Sequence, residues 1–299
     1  MTAWWEKKND DFLRDLPSVG REDLQLIGDT MFVIGVPWNF PEQFKRYAFA
    51  GAKAYCMSNR SIDYTMRTHG EHWKDFDLDV DTKLLFDSTT AVRSEIVSVL
   101  EYVKAIENKP NHHGVVAAAM AIVRLQQSFA FANSAIRERL HFEANAIQRV
   151  ILEQLSWCYK IRDIEEGIFG LEPQGCIGEL RKLYPKAGTF YGNLSAASHM
   201  HPYTTHRYVE VLEGELVVNL TQPNWAALDA LLQLSLADMF GAVAESLYIG
   251  VITKMRYIDI DERGALCLAA NRPMVDVISR FKQPLIDLAA RGVKASENG

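Results

Sequence analysis

Apolar residues recur at helical spacing along most of this chain, and the longest such stretch is residues 115–166. It contains neither glycine nor proline over 52 residues, and as a single helix it would be about 78 Å long. Because that length is too great for a domain of this size, we expect an antiparallel pair with a short turn near Arg139–Glu143. Gly167 and Gly170 should end the second helix. Its apolar stripe recurs at steps of three and four residues: Ile147, Val150, Ile151, Leu155, Cys158 and Ile161.

Two further helices are predicted upstream of that pair. Pro41 is typical of a first helical turn, where its missing N–H costs nothing, and the helix should continue to about Arg67. A polar, acidic connection follows. Ser88 or Thr89 then opens the next helix, which the Asn-Lys-Pro-Asn run at 108–111 stops.

The C-terminal third continues the helical pattern with one ambiguous segment. Residues 208–220 fit either two short strands around Gly214 or a helix capped by that glycine. Pro223 starts a helix that is apolar nearly all round and should be central. A last helix begins near Pro273 and is kinked or interrupted at Pro284. The chain is therefore predicted to be all-α, a multi-helix bundle with at most one small β-hairpin.

Length and composition are those of a globular protein with a sizeable core. The chain has 299 residues, of which 48% are hydrophobic and 23% charged. We expect an N-terminal helical region over residues 1–110 and a helical bundle over residues 111–299, or one continuous domain.

Net charge and the placement of the cysteines exclude some classes of partner and indicate the cellular compartment. The net charge is −6, with both signs mixed along the chain, which argues against a broad nucleic-acid or anionic-membrane surface. No signal peptide and no apolar stretch of 18–20 residues is apparent, so we expect a soluble, cytoplasmic protein. The cysteines are scattered without a C-x-x-C pair and are expected to be buried thiols in a reducing compartment: Cys56, Cys158, Cys176 and Cys267.

Candidate chemistry begins with Arg149 and Glu153, which lie four residues apart and therefore share a helical face. As a surface ion pair they would contribute only about 0.3–0.5 kcal/mol. Facing inward, the pair would hold a guanidinium ready for an anion. The inward orientation is favoured because the surrounding residues are so apolar: Val150, Ile151, Leu152, Leu155 and Trp157.

A second polar cluster lies about forty residues later in YGNLSAASHMHP, with Tyr191, Asn193, Ser195, His199 and His201. If this segment is helical, Ser195 and His199 share a face, as a nucleophile and its base would. No glycine-flanked elbow surrounds the serine, however. We expect Ser195 to cap or support a helix and His199 to hydrogen-bond the Arg149–Glu153 pair. Both clusters together form the predicted ligand site, and whether Arg149, Glu153, Ser195 and His199 are catalytic stays open.

Metal sites are weaker alternatives, and no cofactor is expected. His199, His201 and His206 could bind a metal, although their spacing to the following residues does not suit a cupin barrel. The step from Glu138 to His141 matches one half of a di-iron helical motif, which needs two such steps.

Two motifs in the N-terminal region are also considered. The alternating run Asp75, Asp77, Asp79, Asp81 resembles the start of a calcium loop but has valine where glycine is needed, so it indicates an acidic surface loop. Arg67 and His72 have the Arg-x4-His spacing of helical HEPN ribonucleases, although the intervening glycine is more typical of a solvated helix end.

Residues 115–205 resemble uncharacterised all-helical bacterial families built around R-x-x-x-E and Y-x-x-L-S-x-x-x-H. The matching residues here are Arg149 and Glu153, followed by Tyr191, Leu194, Ser195 and His199. The resemblance covers about a third of the chain. It implies a helical bundle in which arginine, glutamate and histidine converge, and some of these families are associated with defence or mobile elements.

The sequence thus leads to one main hypothesis and two alternatives. The main hypothesis is a polar interhelical pocket that binds a small anionic ligand or a group on a protein partner. The first alternative is a HEPN-like ribonuclease or defence effector that uses Arg67 with His72, or Arg149 with His199. The second is a structural or oligomerisation module, such as a homo-oligomer, in which these groups only satisfy one another.

Overall fold

Two units make up the chain, residues 1–79 and residues 80–299. This boundary falls earlier than the expected division at 110/111, because the helix that begins at Val80 packs within the second unit. The computed structural model describes residues 24–28, 33–37, 41–56, 61–69, 74–75, 80–198, 209–212, 215–218 and 223–296.

The described part of the first unit contains a small antiparallel sheet and two helices. Strand β1 (Leu24–Gly28) lies between β2 (Val33–Pro37) and β3 (Lys74–Asp75). Helix α1 (Glu42–Cys56) and helix α2 (Ile62–His69) cover most of the segment predicted as one helix. Their shared core contains Ile27, Val36 and Phe49.

The second unit opens with α3 (Val80–Lys104), which starts eight residues before the predicted start at Ser88. Ser88 and Thr89 lie inside this helix rather than at its beginning. Their hydroxyls donate to the carbonyl of Leu85 at 3.0 and 2.8 Å, so hydroxyls that often cap a helix here bond back along it. The capping interpretation was wrong for this reason.

The predicted antiparallel pair is present as α4 (His113–Arg137) and α5 (His141–Ile161). The turn between them is left-handed at Arg139, with φ of 61°. The amide of Leu140 donates to the carbonyl of Ala135 at 2.8 Å, and the amide of Arg139 donates to that of Ile136 at 3.0 Å. This is a Schellman ending with arginine in the position that glycine usually takes.

A short helix pair and a hairpin follow. Helix α6 (Ile177–Leu183) comes after two single-turn 3-10 helices, and α7 (Ala187–Ser198) packs against α5. Strands β4 (Val209–Leu212) and β5 (Glu215–Val218) pair antiparallel, so the strand alternative is correct for this segment.

Helix α8 (Pro223–Ser246) is central, as predicted: it contacts α3, α4, α5 and the last helix, α9 (Met274–Ser296). Strands β6 (Ile258–Ile260) and β7 (Leu266–Leu268) form a hairpin between α8 and α9. Helix α9 runs through Pro284 without interruption. The predicted all-α class is confirmed, but the described residues contain three small antiparallel sheets where at most one hairpin was expected.

Among the described residues, two helices are long and apolar enough to cross a membrane by length and composition alone. The prediction that no segment reaches that length was wrong in this respect. The best window of α8 has a mean hydropathy of 1.4 and is 78% buried, as in the core helix of a soluble protein. That of α4 has a mean hydropathy of 1.5 and is 33% buried. The cytoplasmic location stays a prediction.

Candidate functional site

Helices α5 and α7 bring the two predicted polar clusters into contact. Arg149 Nε donates to Glu153 Oε1 at 2.9 Å, and its Nη2 donates to the Tyr191 hydroxyl at 3.4 Å. The guanidinium carbon lies 5.5 Å from the centre of the Tyr191 ring, within the range of a cation–π contact. Arginine, glutamate and tyrosine therefore converge, whereas the predicted contact of this pair was with His199.

This pair is neither a free surface bridge nor a sealed one. The Arg149 side chain is 17% exposed and that of Glu153 is 21% exposed. Burial acts to lower the pKa of Arg149, but the hydrogen bonds to Glu153 and Tyr191 outweigh it and the pKa is raised. The guanidinium is thus a permanent positive charge at a partly open position.

The α7 contribution depends on which face of that helix is buried. Leu194 and Ala197 are 0% and 1% exposed and hold α7 in place. Tyr191 and Ser195, one turn apart, are partly buried, whereas Asn193 is exposed. The predicted role of Asn193 in the pocket is not supported, because it lies on the outer face of α7.

Ser195 has an enclosed hydroxyl without a hydrogen-bond partner among the described residues. Its neighbour Ser198 instead donates to the carbonyl of Leu194 at 2.7 Å. Helical serines commonly bond back in this way, and an unpaired buried hydroxyl costs about 1–3 kcal/mol. Ser195 is therefore an unused polar group one turn from the tyrosine that contacts Arg149.

The three histidines of the cluster, His199, His201 and His206, lie outside the described residues, so their predicted contacts are untested. Within the described residues, no group of three histidine, cysteine or acidic side chains could hold a metal ion. Glu138 is exposed and His141 is buried, so the two residues of the suspected di-iron motif lie in different environments.

The N-terminal candidates Arg67 and His72 belong to the first unit. Arg67 is exposed on α2, and His72 lies outside the described residues. Of the four aspartates, Asp81 lies in the first turn of α3, where Arg291 donates to it at 2.6 Å. An aspartate at a helix N-terminus and in an ion pair has a structural role there.

A buried polar network, not anticipated from the sequence, joins α5 to α8. The ring Nδ1 of His141 and the Nδ2 of Asn145 each bond the Asp229 carboxylate at 2.8 Å. Gln148 Nε2 donates to the backbone oxygen of Asp229 at 2.8 Å and to Gln233 Oε1 at 3.1 Å. All five residues are at most 6% exposed, which indicates a structural role in fixing how the helices pack.

A sequence signal for this network was available. His141, Asn145 and Gln148 recur at three- and four-residue steps on one helix, and Asp229 and Gln233 lie four apart on α8. Polar residues at helical spacing inside an apolar helix need partners when buried. The sequence did not show that α5 and α8 pack against each other.

Two other buried carboxylates are also structural. Asp238 is 0% exposed and bonds Arg272 Nε at 2.7 Å and the Tyr184 hydroxyl at 3.1 Å. Glu245, also fully buried, accepts from the backbone amides of Arg256, Tyr257 and Ile258 at 2.7–2.9 Å. These carboxylates hold the β6–β7 region and the start of α9 against α8.

The expected burial of the cysteines holds for two of them. Cys158 and Cys176 are buried, Cys267 is intermediate and Cys56 is exposed on α1. Burial raises the pKa of Cys158 to about 12, so its thiol stays protonated and poorly nucleophilic at neutral pH.

Comparison with protein-family models, with curated proteins and with solved structures gives no match to this chain.

Proposed function

We propose that this protein binds a small anionic ligand, or an anionic group on a protein partner, between α5 and α7. Arg149 would supply the positive charge, and Glu153 and Tyr191 would hold the guanidinium in its orientation. Ser195 would donate a hydrogen bond to the ligand. The observation that carries the proposal is the enclosed, unpartnered Ser195 hydroxyl, one turn along α7 from the tyrosine that contacts the partly open Arg149.

The arrangement suits binding better than catalysis. Glu153 neutralises Arg149 at a distance of 2.9 Å, so an incoming anion gains orientation and hydrogen bonds more than net charge attraction. A nucleophilic role for Ser195 would need a base within hydrogen-bond reach. The candidate base, His199, lies outside the described residues, and among those residues the Ser195 hydroxyl has no partner.

Phosphate should therefore stabilise the protein through Arg149. A ligand that binds only the folded state adds RT ln(1 + [L]/Kd), about 1.4 kcal/mol at ten times the Kd. Thermal unfolding with phosphate, against chloride at equal ionic strength, should show an increase of roughly 3 °C in Tm. Arg149→Gln should abolish the increase, and Ser195→Ala should reduce it.

Arg263→Gln is the matched control, because Arg263 is exposed and away from α5 and α7. Each shift is taken relative to the same variant without phosphate, which separates binding from any loss of the Arg149–Glu153 bond. An equal shift in Arg149→Gln would contradict the proposal. The absence of a shift with phosphate, sulfate or acetate would favour the structural-module alternative.

A further inference from the structure

An open groove lies between α3, α4 and α8. It encloses about 600 Å³, within the range of small-molecule sites. Its apolar lining includes Leu100, Val103, Met120, Val123, Leu247 and Tyr248. This groove is defined entirely by described residues of the second unit.

The groove adjoins apolar surface that the fold leaves exposed. Met120 and Val123 are 70% and 60% exposed, and Val116, one turn earlier on α4, is 43% exposed. Leu247 and Tyr248 at its base are each 3% exposed. A concave apolar floor bordered by exposed methionine and valine is typical of a ligand groove rather than of an ordinary surface.

The charge at the groove has one sign. Of the described residues that line it, the charged ones are Lys104 and Lys109. Lys109 Nζ donates to the carbonyl of Lys104 at 3.0 Å, at the end of α3. An ammonium has three N–H donors, and this bond uses one of them. Glu101 and Glu107 are exposed nearby in sequence but do not line the groove.

A second copy of the chain is a poor occupant of this surface. The charged residues among its lining are Lys104 and Lys109, both cations. A twofold interface would bury both lysines of each copy in the same patch, and the lining supplies no carboxylate to pair with them. A ligand with an apolar tail and a negative head complements the groove in both respects.

We propose that the groove binds a free single-chain amphiphile with an anionic head, namely a long-chain carboxylate. The alkyl chain lies against Met120, Val123 and Leu247, and the carboxylate lies at Lys104 and Lys109. This site is separate from the α5–α7 cluster and does not depend on it.

Calorimetric titration of the full chain with octanoate, decanoate and dodecanoate, each below its micellar concentration, tests the proposal. One molecule should bind per chain, with affinity rising roughly fourfold per added methylene until the groove is filled. Decanol, which has the same tail without the charge, should bind roughly fivefold more weakly than decanoate.

Variants separate the head from the tail. Lys104→Met with Lys109→Met should lower decanoate affinity to that of decanol and leave decanol binding unchanged. Ala119→Phe, which fills the groove from α4, should abolish binding of both ligands. Ala290→Phe on α9, at an exposed alanine away from the groove, is the matched control.

Four results would overturn the proposal. Equal affinity for decanoate and decanol would show that the lysines do not bind the carboxylate. Full binding by a correctly folded Ala119→Phe protein would show that the ligand binds outside the groove. If the protein is a dimer and Met120→Glu dissociates it, the groove is occupied by a second copy of the chain. If the protein co-sediments with phosphatidylglycerol vesicles but does not bind free decanoate, the groove contacts a membrane surface.

Discussion

Two arginine–carboxylate pairs in this protein differ in how far they are buried. The Arg149–Glu153 pair keeps about a fifth of its surface open, whereas Asp238 is fully buried beneath Arg272. Burial raises the pKa of Asp238, and the bonds from Arg272 and Tyr184 act against that rise. A sealed carboxylate of this kind depends on its partner, while the partly exposed pair is accessible from solvent, as the proposed ligand site requires.

Cysteine reactivity should follow burial at the level of single residues. Because burial raises the pKa of Cys158 to about 12, its thiolate fraction at pH 8 is on the order of 10⁻⁴. Lowering the pH makes the thiol less reactive still, since the thiol form is the protonated one. Iodoacetamide labelling followed by mass spectrometry should modify exposed Cys56 first and Cys158 only after denaturation. Labelling of Cys158 in the native protein at the rate of Cys56 would contradict this.

At the scale of elements, α5 makes three different contacts with three of its faces. Arg149 meets α7, Gln148 meets α8, and the Cys158 thiol donates to the carbonyl of Ala118 on α4 at 3.7 Å. A helix with partners on three sides has one allowed rotation about its axis. The candidate ligand cluster is therefore held by packing that is independent of the ligand.

Gly114 shows how closely α4 approaches the end of α5. A Cβ at this position would lie 2.0 Å from the Ile161 carbonyl oxygen and 2.3 Å from that of Ile164. Because backbone atoms cannot move aside cheaply, Gly114→Ala should lower the free energy of unfolding by at least about 3 kcal/mol. Urea denaturation measures the change.

Gly192→Ala provides the comparison. Gly192 is exposed on α7 with no atom within 4 Å of an added Cβ, so alanine should stabilise the helix by up to about 1 kcal/mol. Equal effects of the two substitutions would mean that the α4–α5 approach is looser than the structure has it.

At the scale of the whole molecule, the second unit contains a core that its own elements complete. Helix α3 supplies Leu85, Val92, Ile96 and Val99, each at most 2% exposed, to the cluster shared with α4 and α8. Burial of each such side chain contributes about 1.5–3 kcal/mol. Together they contribute about as much as the net stability of a typical protein, about 5–15 kcal/mol.

A fragment of residues 80–299 should therefore fold alone, whereas residues 111–299 should not. Circular dichroism should show a helical spectrum and one cooperative thermal transition for the longer fragment. The shorter fragment lacks α3 and should melt without cooperativity or aggregate. If both fragments melted cooperatively at the same temperature, the domain boundary would lie at 110/111 and α3 would not be needed for folding.

The sequence predicted much of the fold because its helices are long and strongly periodic. The turn near Arg139, the start of α8 at Pro223 and the pairing of Arg149 with Glu153 all followed from local spacing. The start of α3 did not, because Ser88 and Thr89 have the composition of a cap but bond back to Leu85. Local chemistry allows both uses of a hydroxyl, and packing selects one.

The sequence by itself determined the helical class and the pairing of Arg149 with Glu153, since both depend on residues within a few positions of each other. Only the tertiary structure decided which polar groups are sealed and which remain open. Asp229 meets His141 across 88 residues, Asn193 faces outward, and Lys104 and Lys109 line a groove completed by α8. Burial and the contacts between distant helices are properties of the packed bundle, which no local pattern contains.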